Sequence, residues 1–184
     1  RVLFRSQIHP DVVWDGEAFW IAWNIANEAG KFETWAGRFG CDLQPLVEPF
    51  AIEQDVEMND LDPSIVVTGD SVVIAWARDD SFADGATYNL TTRIAVYQRE
   101  TGAEITAPQA LKVHVSEADS AQEARDATPD AESVGNFWMP TLGVLPNGEV
   151  VISGSWGDPE RNTFRVYLQH LDATGQPLGS AWLA

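Results

Sequence analysis

A degenerate block recurs three times along this chain, and it limits the fold more tightly than any single motif does. The first copy runs through Pro10, Gly16, the apolar stretch Ala18-Phe19-Trp20-Ile21-Ala22-Trp23, an alternating segment over 32–39, and the turn Asp42-Leu43-Gln44-Pro45-Leu46. The second runs through Pro63, Gly69, Val72-Val73-Ile74-Ala75-Trp76, a segment over 92–97, and Glu100-Thr101-Gly102-Ala103-Glu104-Ile105. The third has Pro140, Gly148, Val150-Val151-Ile152-Ser153-Gly154-Ser155-Trp156, a segment over 164–168, and Asp172-Ala173-Thr174-Gly175-Gln176-Pro177-Leu178. A supersecondary unit of this length cannot bury its own apolar face, so the copies must stack on one another.

Each block reads as four antiparallel strands. The first follows the Pro, over 11–14, 64–67 and 141–145, because a residue with no amide hydrogen suits a strand start. The second is the apolar run ending in Trp, too continuous to be one-sided, so both of its faces should be covered. The third alternates, with Phe164, Val166 and Leu168 facing one way and Arg165, Tyr167 and Gln169 the other. The fourth falls around 47–52, 111–115 and 180–183. From the turn Gly to the Trp the step is seven residues in two copies and eight in the third, which predicts a bulge beside Gly154. Trp23, Trp76 and Trp156 recur at the same place in the block and read as packing residues. Trp14, Trp35, Trp138 and Trp182 do not recur and are the better candidates for a binding surface. The stretch 118–127 reads equally as a helix or a loop.

Four antiparallel strands per repeat make the blade of a β-propeller, so the fold class is all-β, with blades at 8–53, 61–115 and 138–184 of one repeat domain over 1–184. The blocks resemble propeller repeats of large bacterial secreted or surface proteins, in which a Pro, a Gly and an apolar run with Trp precede a D-x-x-G-x-x-L turn. The second blade has Glu100 where Asp is usual, and the first has Leu43-Gln44 in place of the turn Gly. The resemblance implies an extracellular or cell-surface location. Propellers have about four to eight blades, so three do not close a ring. Completion is expected from a second copy, a different chain or further sequence. Val2-Leu3-Phe4, within 2–5, reads as a closing strand that pairs with a blade formed by the chain end. A start at Arg1, without Met or an apolar leader, reads as a processed chain or an excised fragment.

Charge removes several functions. The formal net charge of −17 argues against nucleic acid and anionic membrane surfaces, which need clustered Lys and Arg. No apolar stretch reaches the length of a membrane span. Cys41 is the single cysteine, read as a half-buried turn residue, so an internal disulfide is excluded. His9, His114 and His170 lack the spacing of a zinc site or the setting of a Ser-His-acid triad, and read as hydrogen-bonded structural residues. No cofactor is assigned, and calcium is the metal left open. Asp80 to Gly85 echoes a calcium loop, but Phe82 stands at a ligand position and Thr91 where a bidentate Glu belongs. Two further acidic runs, Glu53 to Asp62 and Glu117 to Glu132, read as solvated loop faces.

The leading expectation is a noncatalytic module that recognises a protein or glycan through rim loops over 26–31, 78–90, 116–136 and 157–162, because function concentrates in loops on a rigid scaffold. No catalytic residue is assigned. The ligand-binding candidates are Asp79, Asp80, Phe82, Asp84 and Tyr88. The partners expected are a protein or glycan ligand and a second copy or chain completing the ring, with no nucleic acid and no membrane insertion. A sialidase-like or other glycan-acting hydrolase or lyase is the alternative. Sialidase-type propellers carry a Ser-x-Asp-x-Gly-x-x-Trp turn, which Ser81 to Tyr88 resembles with the Asp shifted and Tyr for Trp. Arg38, Arg93 and Arg165 on the third strands would suit such a site, but the repeat explains them more simply as outward partners of neighbouring acids. A purely structural assembly subunit is the third reading.

Overall fold

Three four-stranded antiparallel sheets, each a simple meander, stack in sequence order. The computed structural model describes residues 7–54, 58–79, 90–113, 133–134, 138–158 and 163–183. Blade 1 comprises β1 (Gln7–Trp14), β2 (Phe19–Ala26), β3 (Phe32–Phe39) and β4 (Pro45–Ala51). Blade 2 comprises β5 (Asn59–Thr68), β6 (Ser71–Asp79), β7 (Leu90–Gln98) and β8 (Glu104–Ala110). A two-stranded pairing of β9 (Lys112–Val113) with β10 (Ser133–Val134) follows. Blade 3 comprises β11 (Trp138–Val144), β12 (Val150–Asp158), β13 (Thr163–Leu171) and β14 (Pro177–Leu183). The all-β propeller arrangement read from the repeat is therefore present. The closing segment 2–5, His114 and the helix-or-loop stretch 118–127 lie outside the described residues.

The first strand of each blade starts earlier than the Pro suggested. It runs through the Pro, and the pairing with the second strand shifts between Ile8 and Asp11, between Leu61 and Ser64, and between Trp138 and Thr141. A proline without a donor is accommodated at such a bulge, so it marks the middle of the strand rather than its start. The bulge expected beside Gly154 is carried by β11, whose pairing with β12 shifts opposite Gly154, while β12 itself pairs with β13 without a break. Register also corrects the Trp alignment. Ala22, Ala75 and Ser153 face Asp11, Ser64 and Thr141, which makes Trp23, Trp76 and Gly154 equivalent, while Trp156 sits two residues further on. The fourth strand of blade 2 ends at Ala110, ahead of the 111–115 expected.

Alternation sends successive β6 side chains to opposite neighbours. Val72, Ile74 and Trp76, with Ile65, Ala95 and Tyr97, pack against Trp20, Ala22, Ala36 and Ile52 of blade 1. Val73 and Ala75, with Val66, Ile94 and Val96, pack against Leu142, Val150, Ile152 and Leu171 of blade 3. Full burial of a Val, Leu or Ile side chain contributes about 1.5–3 kcal/mol, so these two interfaces supply the main cohesion. The expectation that each Trp-ending run is covered on both faces holds for β6. It fails for β2, where Phe19, Ile21 and Trp23 are only half-buried.

Polar contacts index the blades. Asp11 Oδ2 accepts from Ser64 Oγ at 3.1 Å and from Ile65 N at 3.0 Å, and Ser64 Oγ accepts from Leu142 N at 3.1 Å. The residue after the Pro of blades 1 and 2 thus holds the backbone of the next blade. Trp20 Nε1 donates to the Arg99 carbonyl, Thr68 Oγ1 to that of Gly148 and Thr106 Oγ1 to that of Thr174, each across a blade boundary.

The turn between third and fourth strands needs a left-handed residue. Gly102 and Gly175 provide it with φ of 69° and 77°, and Leu43 takes the same conformation at 63°. Glycine is required at the first two positions by contact as well as by φ. A Cβ at Gly102 would meet Val47 Cγ1 at 2.7 Å, and one at Gly175 would meet Ile94 and Val96 at 3.1 Å. Each of these turns is pressed against the preceding blade. Cys41, in the blade 1 turn, is exposed rather than half-buried.

Candidate functional site

The bulges of the inner strands form the most distinctive feature of the molecule. His9, Asp62 and Met139, each preceding the blade Pro, have φ of 50°, 49° and 51°. A side chain in the left-handed region is strained by about 1–2 kcal/mol, and a Pro that follows narrows the choice further. The same strain in all three blades belongs to the repeat. The side chains do not repeat, and they are presented outward: His9 and Met139 are exposed and Asp62 is partly so. His9 Nδ1 lies 2.7 Å from Asp62 Oδ1, which joins the bulges of blades 1 and 2 directly. Strained backbone that persists at equivalent places is where binding and catalytic groups are commonly held.

Behind Asp62 lies a covered charge network. Arg78 Nε donates to Asp60 Oδ1 at 2.8 Å and its Nη2 to Oδ2 at 3.2 Å, while Nη1 reaches Glu53 Oε1 at 3.0 Å. Arg93 holds the same Glu53 through contacts of 2.7, 2.9 and 3.2 Å. Burial raises the Asp60 pKa above the usual carboxylate value, and the hydrogen bond and charge of Arg78 only partly oppose it. The Trp76 indole adds a weaker pull toward the charged form without completing a hydrogen bond. Within the run Glu53 to Asp62, Glu53 and Asp60 are therefore tied inward to arginines rather than left on a solvated face. Buried ions without such partners would cost several kcal/mol each, and the pairing fixes the strand that carries Asp62.

Arg38 makes a separate pair in blade 1, with Nε 2.6 Å from Asp15 Oδ2. Burial works to raise the Asp15 pKa, but the Arg38 hydrogen bond and the amides of Glu17 and Ala18 outweigh it and hold the carboxyl below the usual range. The arginines of β3 and β7 face acids, as the repeat suggested, but Arg38 is buried and Arg93 largely covered rather than outward. Nor do they share a register: Arg38 pairs with Trp20, Arg93 with Trp76 and Arg165 with Trp156, so they occupy three different heights on their strands.

Of the ligand-binding residues expected from the sequence, Asp79 is buried at the end of β6. It is a residue of the sheet rather than of the rim surface. Asp80, Phe82, Asp84 and Tyr88 lie outside the described residues. Asp79 pairs with both Asn59 and Leu90, at the end of blade 2 that bears the Asp62 bulge. Among the described residues, no group of three or more His, Cys, Asp or Glu side chains is arranged to hold a metal ion. His9 and His170 both have acidic partners, Asp62 and Glu149, the latter at 3.3 Å. No motif or spacing brings His9 and Asp62 together. The one available signal was that both immediately precede the repeated Pro.

The fold is similar to that of several solved glycoside hydrolases. The chain is similar to an endo-arabinase from Bacteroides thetaiotaomicron with a TM-score of 0.56 and 16% identity, over 95% of this chain and 59% of the other. It is similar to a GH43 β-1,3-galactosidase solved with galactodeoxynojirimycin, with a TM-score of 0.59 and 11% identity, over 95% and 61%. An α-L-arabinofuranosidase from Lactobacillus brevis gives a TM-score of 0.51 and 12% identity, over 96% and 56%. The chain thus spans about three fifths of the length of these proteins. No protein-family model matches the sequence, and no curated protein matches it either.

Proposed function

We propose that this chain contributes three blades to a glycan-acting propeller, with the sugar site on the inner-strand bulges and Asp62 as a reacting carboxylate there. The observation that carries the reading is the set of three equivalent left-handed bulges with outward, non-repeating side chains, two of them joined at 2.7 Å. Structural neighbours named for arabinan, arabinofuranoside and galactoside chemistry support the substrate class. In this reading Asp62 accepts a proton from water or a sugar hydroxyl. His9 fixes the orientation of that carboxyl, and the Met139 thioether offers an apolar surface to the sugar ring.

Glycoside hydrolysis uses two carboxyl groups on either side of the bond. Asp62 supplies one. Recognition without turnover is the second reading, favoured because Asp62 is the one carboxylate among the three bulge residues.

The test is hydrolysis of arabinan and of nitrophenyl α-L-arabinofuranoside and β-D-galactopyranoside by the full chain and by Asp62→Asn, with calorimetric binding of the matching oligosaccharides. Hydrolysis that falls at least about 100-fold in Asp62→Asn with an unchanged melting temperature is the expected result. Binding lost in the variant without turnover in the parent moves the conclusion to the second reading. A variant equal to the parent in both assays overturns the site.

A further inference from the structure

Four positions near Asp62 change together from one blade boundary to the next. Between blades 1 and 2 they are Glu53, Asp60, Arg78 and Arg93, joined into one ion network. At the boundary of blades 2 and 3 the sequence has Lys112, Phe137, Trp156 and Tyr167 at the corresponding positions, which the strand registers and the matching amide bonds of Ile52 and Leu111 define. Blade 1 has Gln7, Ile25 and Trp35 in place of Asp60, Arg78 and Arg93. The residue before the Pro changes in step: only the blade with the network has a carboxylate there. The repeat therefore does not require these ions. Asp60 is 2% and Arg78 6% exposed, and ion pairs as covered as this are commonly exchanged for well-packed apolar residues without loss of stability.

What the network holds is the bulge. Leu61 is the last residue of β5 paired with β6 before the shift, Ser64 is the first after it, and Asp62 stands between them with φ of 49°. On one side Asp60 is gripped by Arg78 through two hydrogen bonds. On the other, Ser64 Oγ donates to Asp11 Oδ2 and accepts from Leu142 N. A left-handed side chain persists where its surroundings over-determine it. Glu53 adds the tie to blade 1. Ile52, just before it, donates its amide to the Thr34 carbonyl at 2.9 Å, so Glu53 leaves directly from the blade 1 sheet. From there it reaches Arg78 and Arg93 of blade 2 at 3.0 and 2.7 Å.

We propose that Glu53 and Arg78 are positioning residues, through which blade 1 sets where the Asp62 carboxyl stands against His9. Both act through Asp62. The consequence for sugar chemistry rests on the reading of the bulges given above, whereas the positioning itself is measurable without any sugar.

Nitrogen NMR of the full chain labelled at histidine reads it at the His9 Nδ1 resonance, which reports the contact with Asp62. Asp62→Asn is expected to move that resonance, and Glu53→Gln to move it the same way by about half as much or more. In the double variant Glu53→Gln is expected to add nothing, because a residue that acts through Asp62 then has nothing to act on. Asp15→Asn breaks a covered pair at the opposite end of β1 from His9 and is expected to leave the resonance in place. Arg93→Gln, which withdraws one partner of Glu53 and keeps the Asp60–Arg78 pair, carries the same test if Glu53→Gln does not fold. In the sugar assays Glu53→Gln is expected to lower kcat about tenfold with KM nearly unchanged.

A resonance that Glu53→Gln leaves in place, or moves equally with and without the Asp62 carboxyl, overturns the inference. So does Asp15→Asn moving it as far as Glu53→Gln, or Asp62→Asn not moving it at all. A chain that handles no sugar yet shows the expected His9 pattern refutes the glycan reading and keeps the positioning role. Turnover that needs Asp62 but not Glu53, with the resonance unmoved by Glu53→Gln, does the reverse.

Discussion

Blades 1 and 2 follow the same register, residue for residue, yet β6 is buried from Val72 to Asp79 while β2 alternates between buried and half-buried positions. The difference lies in neighbours, not composition. Blade 2 is held between two sheets and uses both sides of β6. Blade 1 has equivalent apolar side chains on a face that the described residues leave open. An apolar strand therefore reports the interface it is built for, and only the assembled neighbours decide whether its energy is realised.

The largest test of that contrast is the pair Trp76→Ala and Trp23→Ala, at equivalent positions. Urea unfolding should show a loss of about 3–5 kcal/mol for the first, as for other buried Trp truncations. The half-buried Trp23 should cost about 1 kcal/mol, in line with the small area it withdraws from water. Equal losses would mean that the face of blade 1 is covered after all.

The comparison is sharpened next by two covered carboxylates whose arginine partners leave them on opposite sides of the ordinary value. Asp15 is depressed, so its contribution to stability is complete above the unfolded value of 3.8 and is lost as pH falls through the lower folded value. Asp60 is raised, so its ionised form weighs against folding at neutral pH, and that weight lifts as pH falls through the raised value toward 3.8. Asp15→Asn should lose about 1.5–3 kcal/mol at neutral pH, the worth of hydrogen bonds to a charged group. Asp60→Asn should lose less. Unfolding measured at neutral pH and again below 3.8 should show the Asp15→Asn deficit shrinking.

The smallest effect concerns the turns. Leu43→Gly should raise stability by about 0.5–1 kcal/mol, the left-handed strain relieved less the extra freedom of glycine in the unfolded chain. The reverse change at Gly175 must lose stability, because a side chain there strikes Ile94 and Val96.

Much of the architecture was legible because a repeat shows itself several times. Three Pro residues, three turns and three apolar runs place the blades and most strands without any knowledge of contacts. The errors came where one residue type serves two purposes. Pro10, Pro63 and Pro140 read as strand starts, since a missing donor fits an edge, whereas each sits within a strand at a bulge. Trp156 looked like the partner of Trp23 and Trp76 because identity was counted, and register puts Gly154 there instead. The site was harder to read. His9 and Asp62 are 53 residues apart and meet only because consecutive blades stand side by side. The inward pairing of Glu53 and Asp60 was hidden by the usual behaviour of acidic runs, since nothing local shows that Arg78 and Arg93 face them.

The hooks at Asp11 and Ser64 have a direction. Each residue accepts from the amide of the blade that comes after it, and none of these contacts is returned. Surfaces related in this way are complementary but not self-complementary, so they cannot pair across a two-fold axis. Any assembly that extends the stack through them must add its sheets head to tail, with a single sense of rotation around the axis.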